Sequence, residues 1–170
     1  MVLWNKISSI IMNFFPYRSL YGKENGATSE YDALSNTLKD SRDGKAYKTV
    51  KIGNQVWMAE NLDYETANSI CGEKEYLTLY GCLYSWDEAK TVCPVGWHLP
   101  SQAEWNTLIE IVGDSATAGK ILKATNTWSD KGHYKDGTDD YGFTALPGGV
   151  RLPQRGKTHQ SFVNSGAFFW

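Results

Sequence analysis

The 170-residue chain is sparing in several features that would direct a functional reading. It has three cysteines, Cys71, Cys82 and Cys93, and none beyond position 93. Three thiols leave one over if any two are bridged, so the count alone does not establish an oxidising compartment. Their even spacing is not that of a metal site, which brings ligands together in close pairs. Structural cysteines, bridged or buried, are therefore expected, with no metal and no cofactor. Charge of neither sign dominates: 17 Lys and Arg against 19 Asp and Glu give a formal −2. That balance supplies no general pull toward nucleic acid, and no nucleic-acid partner is expected. No nucleophile elbow and no phosphate loop can be found. No apolar run approaches the ~20 residues that cross a bilayer as a helix.

What the chain does have is aromatic bulk. With 41% hydrophobic residues, seven Trp and ten Tyr, it can bury one core rich in large rings whose polar edges still need partners. At the N-terminus, Trp4, Ile7, Ile10, Ile11, Phe14 and Phe15 recur at helical spacing behind Lys6, until Pro16 ends the run. Three readings stand: a weak export signal, an amphipathic helix packed on the domain, or a poorly ordered leader. From Lys23 to Asp43 small and polar residues without regular apolar spacing read as linker. Residues 1–42 are thus taken as leader and linker, and 43–170 as the domain.

Within the domain the local signals are sharper. Asp43-Gly44 marks a turn, and Tyr47, Thr49, Val50 and Ile52 supply β-formers. Gly53-Asn54 then turns the chain back into Gln55-Val56-Trp57-Met58, so a hairpin is expected. Ser85 with Glu88, and Ser101 with Glu104, have capping-box spacing and open two short helices. Cys93-Pro94 closes the first, because the residue before proline is pushed out of helical geometry. The second is expected over Gln102 to Val112, with Trp105, Leu108, Ile109 and Val112 on its core face and Gly113 at its end. Ala116 through Lys123 reads as another helical piece. Thr125 to Gly142 reads as a long surface loop, the usual place for binding.

Four blocks carry a resemblance. They are Ile52-Gly53-Asn54-Gln55-Val56-Trp57-Met58-Ala59-Glu60-Asn61-Leu62; Tyr80-Gly81 with Leu83-Tyr84-Ser85-Trp86; Cys93-Pro94 with Gly96-Trp97-His98-Leu99-Pro100-Ser101; and Gly137-Thr138-Asp139-Asp140-Tyr141-Gly142-Phe143 with Ala145-Leu146-Pro147-Gly148-Gly149. In this order they resemble the Fibrobacter succinogenes major paralogous domain family. The block from His98 to Trp105 is also similar to the sulfatase-modifying-factor family, whose proteins have a C-type-lectin-like fold. The resemblance therefore implies an α+β, C-type-lectin-like, loop-rich domain with two short helices packed on small irregular antiparallel sheets. It also implies an extracytoplasmic or cell-surface location. Relatives continue into further strands past the position of Trp170, so the domain is expected to lack its last strands. Ala167-Phe168-Phe169-Trp170 would then belong either to a shortened product or to an edge completed by another chain.

Four chemistries are weighed against these expectations. Asp136, Asp139 and Asp140 offer oxygen ligands, but without the alternating ligands and closing Glu of a calcium loop they read as a capped turn. His98 and Glu104 could form an acid/base pair, yet Glu104 already has a capping role and a structural histidine is expected. Formylglycine-generating oxidases, which share the helix-entry block, use a late cysteine pair that this chain lacks. Arg151, Arg155, His159 and Gln160, with Lys157 among them, lie where the resembled fold exposes a ligand face. Donors there can engage sugar hydroxyls or carboxylates. The expected function is a noncatalytic binding module that recognises a glycan or protein partner through exposed irregular loops after Trp128 and Gly149, and these four residues are its candidate ligand contacts. A structural subunit completed by strand addition, or an oxidase-related enzyme, is the alternative.

Overall fold

The computed structural model describes residues 13–14, 29–71, 77–128, 137–154, 157–161, 163–167 and 169; for 13–14, 77–78, 151–154 and 157–161 the description covers the backbone. The architecture is α+β. Seven strands and four short helices are described: β1 Asn13–Phe14, β2 Glu30–Asp32, β3 Thr37–Lys39, β4 Ala46–Ile52, β5 Gln55–Met58, α1 Leu77–Tyr80, α2 Trp86–Ala89, α3 Gln102–Val112, α4 Ala118–Leu122, β6 Val150–Gln154 and β7 Lys157–Ser161. The first five strands form an antiparallel sheet in the order β1-β5-β4-β3-β2, and β6 and β7 form a separate hairpin.

The β4–β5 hairpin is where the turn signal put it. Gly53 turns with φ +60°, a region that costs other residues a Cβ clash. The register pairs Val50 with Trp57 and Ile52 with Gln55 on one face, and Thr49 with Met58 on the other. All four residues of β5 are buried, so the strand divides two hydrophobic clusters. On one side Val56 and Met58 join Leu38, Tyr47, Leu62, Tyr84 and Trp97. On the other Trp57 joins Ile52, Leu108, Val112, Leu122 and Phe143. Trp57, Trp105, Phe143 and Phe169 stack in a chain of tilted and edge-on contacts, with the Trp57 and Trp105 centroids 4.8 Å apart. Phe169, one of the terminal aromatics, is therefore half-buried against this cluster. Phe168 and Trp170 lie outside the described residues.

The helices begin as their sequences dictate. Ser85 and Ser101 each accept from the amide three residues on, and Glu88 and Glu104 each return a carboxylate to the cap amide. The face of α3 buries Leu108 and Val112 fully, with Trp105 and Ile109 half-buried beside them. α2 is a single turn, and α4 is shorter than the helical piece expected over Ala116 to Lys123.

Two expectations for the N-terminal third are corrected. The stretch taken as linker contains β2 and β3, which extend the sheet beyond β4. Their hairpin is closed by Asp32, whose carboxylate accepts from the Leu34 amide and the Ser35 hydroxyl, while Asn36 takes φ +51°. Each strand is three residues long, too short for alternation to be read, yet Leu38 is fully buried. Of the apolar run from Trp4 to Phe15 only Asn13 and Phe14 are described, and at these two residues the helical reading gives way. Asn13 and Phe14 pair with Trp57 and Val56 as a strand, because the free edge of β5 offers backbone partners there.

Candidate functional site

The segment after Gly149, expected as an irregular loop, is instead the paired β6–β7 hairpin, and it carries three of the four candidate contacts. Arg151 and Gln160 are direct cross-strand partners, and His159 stands opposite Leu152. Arg155 lies outside the described residues, as do the side chains of the other three. The base of the hairpin is built by its neighbours. Val150 is buried, the Gly149 amide donates to Gly166 O, and the Asn164 amide donates to Pro147 O. The Tyr80 hydroxyl donates to Asn164 Oδ1 at 2.7 Å, and Asn61 Nδ2 donates to Tyr80 O at 2.9 Å. The hairpin thus stands on a folded platform joined to the middle of the chain.

Of the surface loop expected over Thr125 to Gly142, residues 129–136 lie outside the described residues. One end is held close to the hairpin base and the other against the end of α4. Trp128 Nε1 donates to Ala145 O at 3.0 Å, and the Lys123 ammonium sits 4.5 Å from the Trp128 ring centroid. On the returning side the Gly137 amide donates to Ala124 O and the Thr138 amide to Lys120 O. Gly137 sits so close to the end of α4 that a Cβ there would lie 2.2 Å from Lys123 O and 2.6 Å from Lys120 O. Only glycine permits that approach.

Of the three aspartates read as a capped turn, Asp139 is seen to cap one. Asp139, itself at φ +48°, accepts from the Thr144 amide at 2.7 Å and from the Thr144 hydroxyl at 2.8 Å. Asp136 lies outside the described residues. His98 Nε2 is 2.9 Å from Glu104 Oε1, and the other carboxylate oxygen of Glu104 accepts from the Ser101 amide and hydroxyl. Burial pushes the Glu104 carboxyl upward, but the Ser101 and His98 hydrogen bonds outweigh it and hold the group below its ordinary range. That environment favours the charged form of Glu104, which suits its role as a helix cap.

Cysteine usage is resolved by the fold. Cys71 and Cys82 form a disulfide that closes a loop of 11 residues' separation, and Cys93 is the free thiol. A crosslink over such a loop contributes about 3 kcal/mol in the chain-entropy account. Burial pushes the Cys93 thiol up to about 11, against a smaller opposing effect of the Arg42 charge, so it has the character of a packed group. Nearby, Asp40 is completely buried under Arg42, which contacts both its oxygens, donates to Val92 O at 2.8 Å and lies 3.9 Å over the Tyr64 ring. This cluster ties the turn before β4 to the end of α2. Sequence reading did not single out Asp40, Arg42 or Asn164 and quoted Tyr80 only within a family block; the contacts of Arg42 with Val92 and of Tyr80 with Asn164 join residues too far apart for a local pattern to show.

Residues 50–170 match the Fibrobacter succinogenes major domain, well over half of the chain. The chain belongs to this family. No curated protein and no solved structure matches it. The major-domain match begins within β4, so the family's region includes the end of β4, β5, the four described helices and the β6–β7 hairpin. Among the described residues no helix is long and apolar enough to cross a membrane.

Proposed function

We propose that this major-domain protein is a noncatalytic binding module with a C-type-lectin-like fold, working outside the cytoplasm or at the cell surface. It recognises a glycan or a protein through the β6–β7 hairpin and the segment between Trp128 and Gly137. The observation that supports this reading is where the two segments are anchored. Pro147, Gly149, Asn164 and Gly166 bond one another at the base of the hairpin, and Ala145, two residues before Pro147, accepts from Trp128 Nε1 and from the Ala124 amide. The hairpin and the start of the other segment are thus anchored close together, as a base does for variable recognition loops. Some charged side chains elsewhere have structural roles, such as the Glu104 cap and the Asp40–Arg42 pair. Arg151, Arg155, His159 and Gln160 remain the proposed contacts, with guanidinium and amide donors suited to hydroxyl and carboxylate groups.

The test is a glycan and protein binding screen on the intact chain, followed by Arg151→Ala, His159→Ala and Gln160→Ala. Saturable binding that each substitution weakens, with thermal stability retained, is the expected result. Turnover of a thiol peptide in the presence of copper would replace this reading with the oxidase-related one. Concentration-dependent assembly without ligand binding would replace it with a structural subunit.

A further inference from the structure

The surroundings of Cys71 and Cys82 are more elaborate than a crosslink requires. Ile70 and Leu83 exchange both backbone hydrogen bonds at 3.0 Å, which makes the next pair outward, Cys71 and Cys82, a non-hydrogen-bonded cross-strand pair with Cα atoms 4.3 Å apart. Such pairs bring side chains closest in an antiparallel ladder. The Cys82 amide also donates to Leu62 O, next to Asp63. The backbone therefore holds both sulfurs and the Asp63 carboxylate together whether or not the sulfurs are bonded. Asp63 Oδ1 lies 3.3 Å from Cys82 Sγ, and one donor atom from each of the three residues falls within 4.8 Å of the others.

We infer that reduction of the Cys71–Cys82 bond converts this position into a site for a thiophilic divalent cation of the zinc class, held by Asp63 Oδ1, Cys71 Sγ and Cys82 Sγ. Zinc–sulfur bonds of about 2.3 Å on a tetrahedral ion put two sulfurs about 3.8 Å apart, a separation that closely paired cross-strand cysteines reach by side-chain rotation. Two thiolates and a carboxylate exceed the charge of a divalent ion by one, and the Lys45 ammonium supplies the balance. It sits 2.7 Å from Asp63 Oδ2, the oxygen turned away from the sulfurs, and also bonds Asp63 O. An outer partner of this kind orients a ligating carboxylate. Ser69 Oγ lies 3.3 Å from Cys71 Sγ, within reach of the second thiolate once its hydroxyl turns from Thr66 O. Water completes the coordination.

The chemistry closes with a phosphine as reductant. A trialkylphosphine takes oxygen from water and becomes its oxide, while the disulfide accepts two electrons and two protons to give two thiols. The metal then displaces both thiol protons into solvent. The inference concerns a different part of the molecule from the proposed ligand face and does not depend on it.

The test compares the intact chain, oxidised and phosphine-reduced, in anaerobic titrations with cobalt(II), a spectroscopic stand-in for zinc. The reduced chain is expected to bind one cobalt with thiolate-to-metal charge transfer and tetrahedral ligand-field bands, bleached on adding zinc. The oxidised chain is expected to give none of these bands. Asp63→Ala should weaken cobalt binding at least about tenfold, and Cys93→Ser should leave the spectrum intact. Equal binding by reduced and oxidised chains overturns the inference without recourse to any variant. Loss of the bands in Cys93→Ser, or unchanged affinity in a folded Asp63→Ala, overturns the ligand set.

Discussion

The Tyr80 hydroxyl reaches Asn164 across 84 positions of sequence, and the hydrogen bond it donates there joins the end of α1 to the base of the β6–β7 hairpin. Tyr80 is buried while Asn164 is exposed, so removing the hydroxyl forfeits one bond and strands no buried partner. Tyr80→Phe is expected to cost about 1 kcal/mol in denaturant unfolding. Amide exchange should rise in β6 and β7 more than in β4 and β5. Uniform acceleration across both sheets would mean that the bond serves overall stability and not the hairpin.

The sheet extends to β2 and β3, so residues before 43 belong to the folded unit that the core requires. Leu38 is fully buried in the cluster around Tyr47 and Trp97. Leu38→Ala is expected to destabilise by about 3 kcal/mol through lost burial and the cavity left behind. A chain started at residue 43 loses Leu38 and Asp40 together, and its unfolding midpoint should fall further than that of Leu38→Ala. Equal midpoints for the shortened and full chains would refute the assignment of these strands to the core.

Burial alone would raise the Asp40 carboxyl, but the Arg42 hydrogen bonds and charge prevail and hold it below its ordinary value. A depressed folded-state pKa contributes stability that is complete above the unfolded value of about 3.9. This contribution fades as pH falls through the lower folded value. Wild type should therefore lose stability on acidification below about pH 4, and Arg42→Gln should lose less over the same interval because part of the contribution is already gone. At neutral pH Arg42→Gln is expected to cost about 3 kcal/mol, since it leaves a buried carboxylate without its counter-ion. Chemical denaturation from pH 2 to 7 gives both quantities.

At Gly137 any side chain meets backbone. The carbonyls of Lys120 and Lys123 cannot yield as a side-chain tip would, so Gly137→Ala must push residues 137–140 off the end of α4. A loss of about 3 kcal/mol is expected, in the range of overpacked sites. The bonds from the Gly137 amide to Ala124 O and from the Thr138 amide to Lys120 O should open, which hydrogen exchange at those amides would reveal. Gly119, which has open space where a Cβ would stand, serves as the control and should accept Ala with little change or a small gain.

The parts of the fold legible in the sequence are those encoded within a few residues. Gly53-Asn54 between β-formers specified the β4–β5 hairpin, and two capping boxes with an apolar stripe specified α2 and α3. Where short segments depend on distant partners the reading failed. β2 and β3 take their stability from β4, and the strand at Asn13–Phe14 takes its pairing from the edge of β5. The cysteine count left the bridge open because pairing is decided by the Ile70–Leu83 ladder, which brings Cys71 beside Cys82. Of the candidate contacts, the sequence located a segment that forms the β6–β7 hairpin. The platform beneath it involves residues as far apart as Asn61, Tyr80 and Asn164, a relation that no local pattern encodes.

Because β5 has oil on either side of it, its alignment with β4 is unusually well guarded. A slide by one residue would thrust Trp57 into the chamber shaped for Met58 and send Met58 toward Phe143 and Leu108, two spaces of unlike volume. Neither chamber can absorb the exchange alone, so the ribbon at the centre of the molecule works as a key cut on both edges. Its fit in one lock enforces its fit in the other.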